Sequence, residues 1–121
     1  MNELGVWGEE LACEHLKKSG YEIVARNFSV RCGEIDIIAQ NGRYIVFAEV
    51  RQRRSGAVVG AIDSISPQKM KKIYRTALLY LSGHPTHLQP RFDVIAITGD
   101  RTHPEDARIQ WIENAFDGDY F

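Results

Sequence analysis

The sequence has too little of several things to belong to the common classes of small specialised domain. It contains only two cysteines, Cys13 and Cys32, and neither sits in a CxxC pair or a mixed Cys/His zinc spacing. Two thiols so placed argue against a disulfide scaffold and are expected to be free in a reducing compartment. An excess of charge of one sign is also lacking, since 15 Lys and Arg against 16 Asp and Glu leave a formal net charge of −1. Composition therefore gives no global electrostatic case for nucleic-acid or membrane binding, and any basic surface has to be local. No apolar run approaches the ~20 residues of a membrane span. The acidic N-terminus MNELGVWGEELACEHL has no apolar core of the kind a signal peptide needs. Internal repeats and low-complexity segments are missing as well. The expectation is one soluble, cytoplasmic domain over residues 1–121, long enough to bury a core without disulfides or a structural metal.

What is present is a clear alternation of periodicities. Leu4, Trp7, Leu11, Ala12 and Leu16 recur at helical spacing and predict a helix from about Glu3 to Ser19, stopped by Gly20. YEIVARNFSV reads as a strand. EIDIIA and YIVFAEV flank Asn41-Gly42, a strong hairpin signal because both residues tolerate positive φ. Arg51 to Ser64 reads as a mobile loop, basic at its start. Ser66-Pro67 supplies an N-cap and first-turn proline for a second helix, with an apolar stripe of Met70, Ile73, Ala77, Leu78 and Leu81 that ends at Ser82-Gly83. After the connector HPTHLQP come the strand RFDVIAIT and a last strand over Arg108 to Glu113. The order α-β-β-β-α-β-β points to an α/β fold with a mixed central β-sheet flanked by helices.

Two of these strand-forming runs carry an acid, Asp36 and Glu49. With Asn41-Gly42 as a two-residue turn, Ile38 faces Ile45, Asp36 faces Phe47 and Glu34 faces Glu49. Alternation then puts Glu34, Asp36, Ile38, Ile45, Phe47, Glu49 and Arg51 on one face. Asp36 and Glu49 become diagonal neighbours, close enough to repel unless something neutralises them. A buried salt bridge from Asp36 to Arg51 would do so. A divalent cation would too, because carboxylate oxygens suit hard ions such as Mg²⁺. On the first helix Glu9 borders the apolar stripe whereas Glu10 turns to solvent, making Glu9 the candidate for a third acid, unless it is ordinary solubilising charge.

Gly8-Glu9, Gly20-Tyr21, Arg26-Asn27, Gly33-Glu34-Ile35-Asp36 and Phe47-Ala48-Glu49-Val50-Arg51, continuing through Lys69, Arg91-Phe92-Asp93-Val94 and Asn114-Ala115-Phe116, resemble the YraN-like family of uncharacterised bacterial proteins. That family is similar to the restriction-endonuclease-like superfamily, whose nucleases carry a PD-(D/E)XK motif and include Holliday-junction resolvases. The resemblance implies a restriction-endonuclease-like sheet and a metal site for Mg²⁺ or Mn²⁺ formed by Asp36 and Glu49, with the Val50 carbonyl as a further ligand and Glu9 completing the acidic cluster. A homodimer is compatible with it. One position departs from the pattern: the lysine two residues after the second acid is Arg51, which stays charged and cannot act as a base. Lys69 or Lys72 would have to supply an ammonium in its place.

Arg51, Arg53 and Arg54, with Lys69, Lys71, Lys72 and Arg75, would make a local phosphate-binding patch or a merely solvated face. The isolated pair His84 and His87 lacks metal-ligand spacing. Asp93 is expected either behind the acidic site or on an edge strand, and Trp7 and Trp111 in the core. These readings lead to a Mg²⁺-dependent DNA endonuclease, with branched or structured DNA among its candidate substrates. Its rivals are a nucleic-acid-binding module of the same fold that does not cut, and a structural protein whose acids are held in salt bridges.

Overall fold

The computed structural model describes residues 3–53, 64–99 and 101–117. The expected element order is found: α1 (Glu3–Lys18), β1 (Glu22–Val30), β2 (Gly33–Gln40), β3 (Tyr44–Arg53), α2 (Pro67–Gly83), β4 (Gln89–Thr98) and β5 (Arg108–Phe116), with a 3-10 turn at Pro104–Asp106 before β5. The strands form one sheet in the order β1-β2-β3-β4-β5. Among the described residues only β3 and β4 pair in parallel, and the other three pairs are antiparallel. The fold is α/β, a five-stranded mixed sheet with a helix on each face.

Each face carries its own apolar layer. Ala12, Cys13 and Leu16 of α1 pack on Ile37, Val46 and Ile95. Met70, Ile73, Ala77 and Tyr80 of α2 pack on Ile38, Phe47 and Phe92 from the other side. Sequence sets both helix ends that matter. Gly20, at φ 92°, lets the Tyr21 N–H reach back to the Leu16 carbonyl and the Gly20 N–H to that of Lys17, closing α1 with a paired cap. At the start of α2 the Ser66 hydroxyl accepts the Lys69 N–H at 3.1 Å. None of the described helices is long and apolar enough to cross a membrane.

Several expectations need correction. The β2–β3 turn sits one residue later than Asn41-Gly42. Gln40 pairs with Ile45, and neither Asn41 nor Gly42 has positive φ. Instead the Asn41 side chain accepts the N–H groups of Arg43 and Tyr44, an Asx turn that uses the amide rather than a left-handed backbone. The register is thereby displaced by two, which preserves the faces because the side-chain period is also two. Alternation fails locally, however: Ile35 and Ile38, three residues apart, both join the α2-side layer, as do their β1 partners Phe28 and Ala25. Asn27, at φ 53°, breaks the pleat between those partners. Residues 51–53 are strand rather than loop, because parallel pairing with Ala96, Ile97 and Thr98 extends β3 through them. Residues 54–63 of the expected loop lie outside the described residues. Leu78 is not core but 50 % exposed, beside Leu79 at 53 %, and β5 runs on to Phe116.

Asp93 is neither at an edge nor behind the acidic pair. It lies fully buried on central β4, paired with Ala48 and therefore facing α1, the side opposite Glu49. There it takes Arg91 Nε and Nη2 at 2.9 and 2.8 Å, Trp111 Nε1 at 2.8 Å and the Asn114 N–H at 2.9 Å. The last bond replaces the ladder at a bulge, where Asn114 adopts φ 52° and the β4–β5 register slips between Phe92 and Val94. Arg91 is roofed by the Tyr44 ring, 4.6 Å from its guanidinium carbon, and donates to the Tyr21 hydroxyl. Removing Asp93 strands a buried guanidinium, so Asp93→Ala is expected to lose about 3–5 kcal/mol in urea unfolding.

Candidate functional site

β2 and β3 run from their turn as a regular ladder as far as the pair Ile37 and Ala48. Asp36 and Glu49 are the residues that follow this last pair on each strand. There the strands are joined through a side chain: Asp36 Oδ2 accepts the Val50 N–H at 2.9 Å. Glu49, only 6 % exposed, follows Phe47 by two residues and so faces α2. Arg51 Nη2 lies 3.6 Å and Lys69 Nζ 4.0 Å from Glu49 Oε1, both beyond hydrogen-bonding distance and both on part-exposed side chains. The cation expected to pair with Asp36 thus lies against Glu49 instead.

The acids are under-neutralised. Burial, and after it the charge of Asp36, pushes Glu49 up from an ordinary 4.5 to about 7 against the pull of Lys69 and Arg51. Burial raises Asp36 also, the Val50 N–H opposing it and Glu34 adding to it. Glu9, 6 % exposed on α1, is raised by burial first and by Asp36 second. Asn27 and Arg26 pull Glu9 back, with Arg26 Nη2 at 3.8 Å, yet its Oε1 has no hydrogen-bond partner. The expected acids therefore feel one another across two strands and a helix.

Among the described residues no three His, Cys, Asp or Glu side chains converge closely enough to hold a metal ion. The donor set offered is two carboxylates, Asp36 and Glu49. That fits Mg²⁺ or Mn²⁺, hard ions that take one or two carboxylates and fill the remaining positions with water or phosphate oxygens. The Val50 N–H is committed to Asp36, which leaves its carbonyl as the atom the resemblance would use.

The basic residues divide. Arg51 and Lys69 stand over Glu49 on the α2 side. Arg53 is exposed at the end of β3, and Lys71, Lys72 and Arg75 are exposed along α2, with no carboxylate of the described residues ion-paired to Lys72. Arg54 lies outside the described residues. Trp7 and Trp111 are partly buried against the α1-side layer, and Trp111 also donates to Asp93. The sequence reading overlooked Gln52, whose amide is buried against Gly8 with neither polar atom bonded. Extending β3 to Arg53 would have found it, because alternation turns Gln52 toward α1.

Residues 8–97 match the model of a family described as "Uncharacterised protein family UPF0102". The chain belongs to the UPF0102 family. It is 44 % identical over 111 residues to a UPF0102 protein of Dichelobacter nodosus, covering 91 % of this chain and 86 % of that one. A UPF0102 protein of Syntrophomonas wolfei is 39 % identical over 115 residues, covering 94 % and 97 % respectively. One from Coxiella burnetii is 35 % identical over 120 residues, covering 98 % and 95 %. The matched UPF0102 stretch includes Gly8, Glu9, Asp36, Glu49, Arg51, Gln52 and Lys69, and it stops in β4 at Ile97.

Because the folded-state value of Glu49 lies above its ordinary one, the folded chain holds a proton there that the unfolded chain releases. That stabilisation is complete below about 4.5 and lost as pH rises through about 7. Melting of the metal-free protein from pH 4.5 to 8 is expected to show a fall over this window that Glu49→Gln removes. At pH 8 the variant should melt higher than wild type by ~5 °C or more.

Proposed function

We propose that this UPF0102 chain is a metal-dependent nuclease of the restriction-endonuclease-like kind, hydrolysing phosphodiester bonds in DNA. The observation that carries the reading is an acid pair, buried Glu49 and half-buried Asp36, the latter bonded to the Val50 N–H next to Glu49, with no ion-pair partner of Glu49 among the described residues closer than 3.6 Å. Such an arrangement is unfavourable in the apo protein and becomes favourable when a divalent ion is shared. Asp36 and Glu49 would hold Mg²⁺ or Mn²⁺. The ion supplies Lewis-acid polarisation of the phosphate and a more acidic bound water.

The chain's own groups divide the remaining work. The Val50 N–H fixes the Asp36 carboxylate in one orientation. Arg51, permanently charged, faces the same side as Glu49 and is suited to a phosphate oxygen that gains negative charge. Lys69 approaches Glu49 from α2 and brings an ammonium to the acid that Arg51 follows in the chain. Arg53 and the exposed α2 lysines would extend this basic side along a nucleic-acid backbone. A second reading, a nucleic-acid-binding module that does not cut, is favoured by one specific residue, Arg51 in place of lysine.

Labelled single-stranded, duplex and four-way-junction DNA, incubated with Mg²⁺ or Mn²⁺, decides between them. Cleavage should appear and fall by at least ~10²-fold in Asp36→Asn and Glu49→Gln, the scale of losing one electrostatic contributor. Cleavage indifferent to both substitutions would sink the site. Salt-dependent binding without cleavage in wild type, with cleavage gained in Arg51→Lys, would establish the second reading.

A further inference from the structure

Two cations stand against Glu49 Oε1 and neither bonds it: Arg51 Nη2 lies 3.6 Å away and Lys69 Nζ 4.0 Å. On the same guanidinium, Arg51 Nε is buried with no hydrogen-bond partner among the described residues, an unfavourable state for a donor. Lys69 is locally unfavourable too. It is the third residue of α2, behind the Ser66 cap, where an acid that reaches back to the cap is the usual choice. The first turn of α2 has no acid, and the whole helix carries Lys69, Lys71, Lys72 and Arg75 against no carboxylate. Arg51 and Lys69 thus meet at one acid that satisfies neither.

Both cations are anchored at the backbone and open at the tip. β3 holds Arg51 opposite Ala96 of β4, and the cap holds Lys69, yet their side chains are 31 % and 41 % exposed. Glu49 between them is buried and cannot follow them outward. When both acids are ionised, Asp36 and Glu49 cancel the charges of Arg51 and Lys69, so the metal-free site offers a phosphate little attraction. A divalent charge shared by the acids turns the balance positive and removes the pull of Glu49 on both cations.

We propose that Glu49 is a latch on the phosphate-binding groups of the site: in the metal-free chain it holds Arg51 and Lys69, and when it turns to a divalent ion it releases both to bind a phosphodiester of DNA. This rests on the nuclease reading above and adds to it a coupling between ion and substrate. It also gives Arg51 a task that needs no base. Its Nε and Nη2 form a paired donor edge suited to two oxygens of one phosphate, and Nε is the atom now without a partner. Because such coupling is reciprocal, DNA tightens the ion as the ion tightens DNA.

Binding of a labelled DNA duplex in EDTA at pH 8, where Glu49 is largely ionised, tests the latch with neither metal nor cleavage. Glu49→Gln keeps the shape and removes the charge. It is expected to bind the duplex ~10-fold more tightly than wild type, with a salt slope steeper by about 1–2 as the freed cations reach phosphates. Asp36→Asn removes the same charge from the same pair, but its side chain lies against the Val50 N–H rather than the cations, so it should gain much less. Adding Arg51→Gln and Lys69→Gln to Glu49→Gln should abolish the gain. Equal gains in Glu49→Gln and Asp36→Asn, or no gain in Glu49→Gln, would overturn the latch, while metal-dependent cleavage lost in Asp36→Asn would leave the nuclease reading standing. A wild type that neither binds nor cuts DNA with Mg²⁺ or Mn²⁺ present would overturn both.

Discussion

Two carboxylates that repel each other, Asp36 and Glu49, are the constraint around which the acidic end of this sheet is organised. Glu49 is buried and Asp36 half-buried on interior strands, so neither is screened as fully as a surface acid would be. The chain answers with partial measures. A backbone N–H goes to Asp36, and two cations stand near Glu49 at distances where attraction is real but incomplete. An isolated structural salt bridge would have been built differently, and the same molecule shows how. Asp93 and Arg91 are both buried, and they meet through short, bidentate bonds with the remaining Asp93 lone pairs occupied. One acid site is finished and the other is left open.

A similar contrast runs along one face of the sheet. The α1 face carries the saturated Arg91–Asp93 cluster toward one end of the strands and the unsaturated Glu9, Asn27 and Gln52 groups toward the other. Saturation stabilises and specifies a fold, whereas unsaturated polar groups weaken it until something binds. The expected cost is concentrated where α1 crosses the ends of β2 and β3. The rest of the domain, with apolar layers on both faces, provides the stability that tolerates it.

Much of this could be read from the residues because period and punctuation are local properties. The stop of α1 at Gly20, the start of α2 at Ser66-Pro67, and the apolar runs of β2, β3 and β4 announced themselves through side chains only a few positions apart. The turn was misplaced by one residue and the register by two, an error that leaves the regular part of the β2–β3 ladder, Ile37 to Gln40, on the expected faces. What stayed hidden was non-local. The extension of β3 over Arg51–Arg53 depends on a partner strand more than forty residues away, so its polar sequence looked like loop. Asp93 looked like an edge residue because nothing nearby reveals that Arg91, Trp111 and Asn114 converge on it. Leu78 fitted the stripe of α2 by spacing alone, although the helix turns it outward. The family resemblance supplied the role of the Val50 carbonyl, which neither pattern nor propensity contained, whereas Glu9 was already marked by its place beside the apolar stripe of α1.

The strand order has a consequence for assembly. Neighbours in the sheet are neighbours in the chain, and only the β3–β4 joint needs a crossover. Residues Glu9, Asp36, Glu49 and Gln52 all belong to the segment before that crossover, a helix with a three-stranded meander whose contacts are short in sequence. The later half contributes Lys69 and the layer that covers Phe47. During folding the acids can thus be brought together by early, local pairing, and the closure of the long α2 connection is the slow step that seals them from water. The order of the strands therefore makes the acidic centre the first part of the molecule to take shape and the last to become dry.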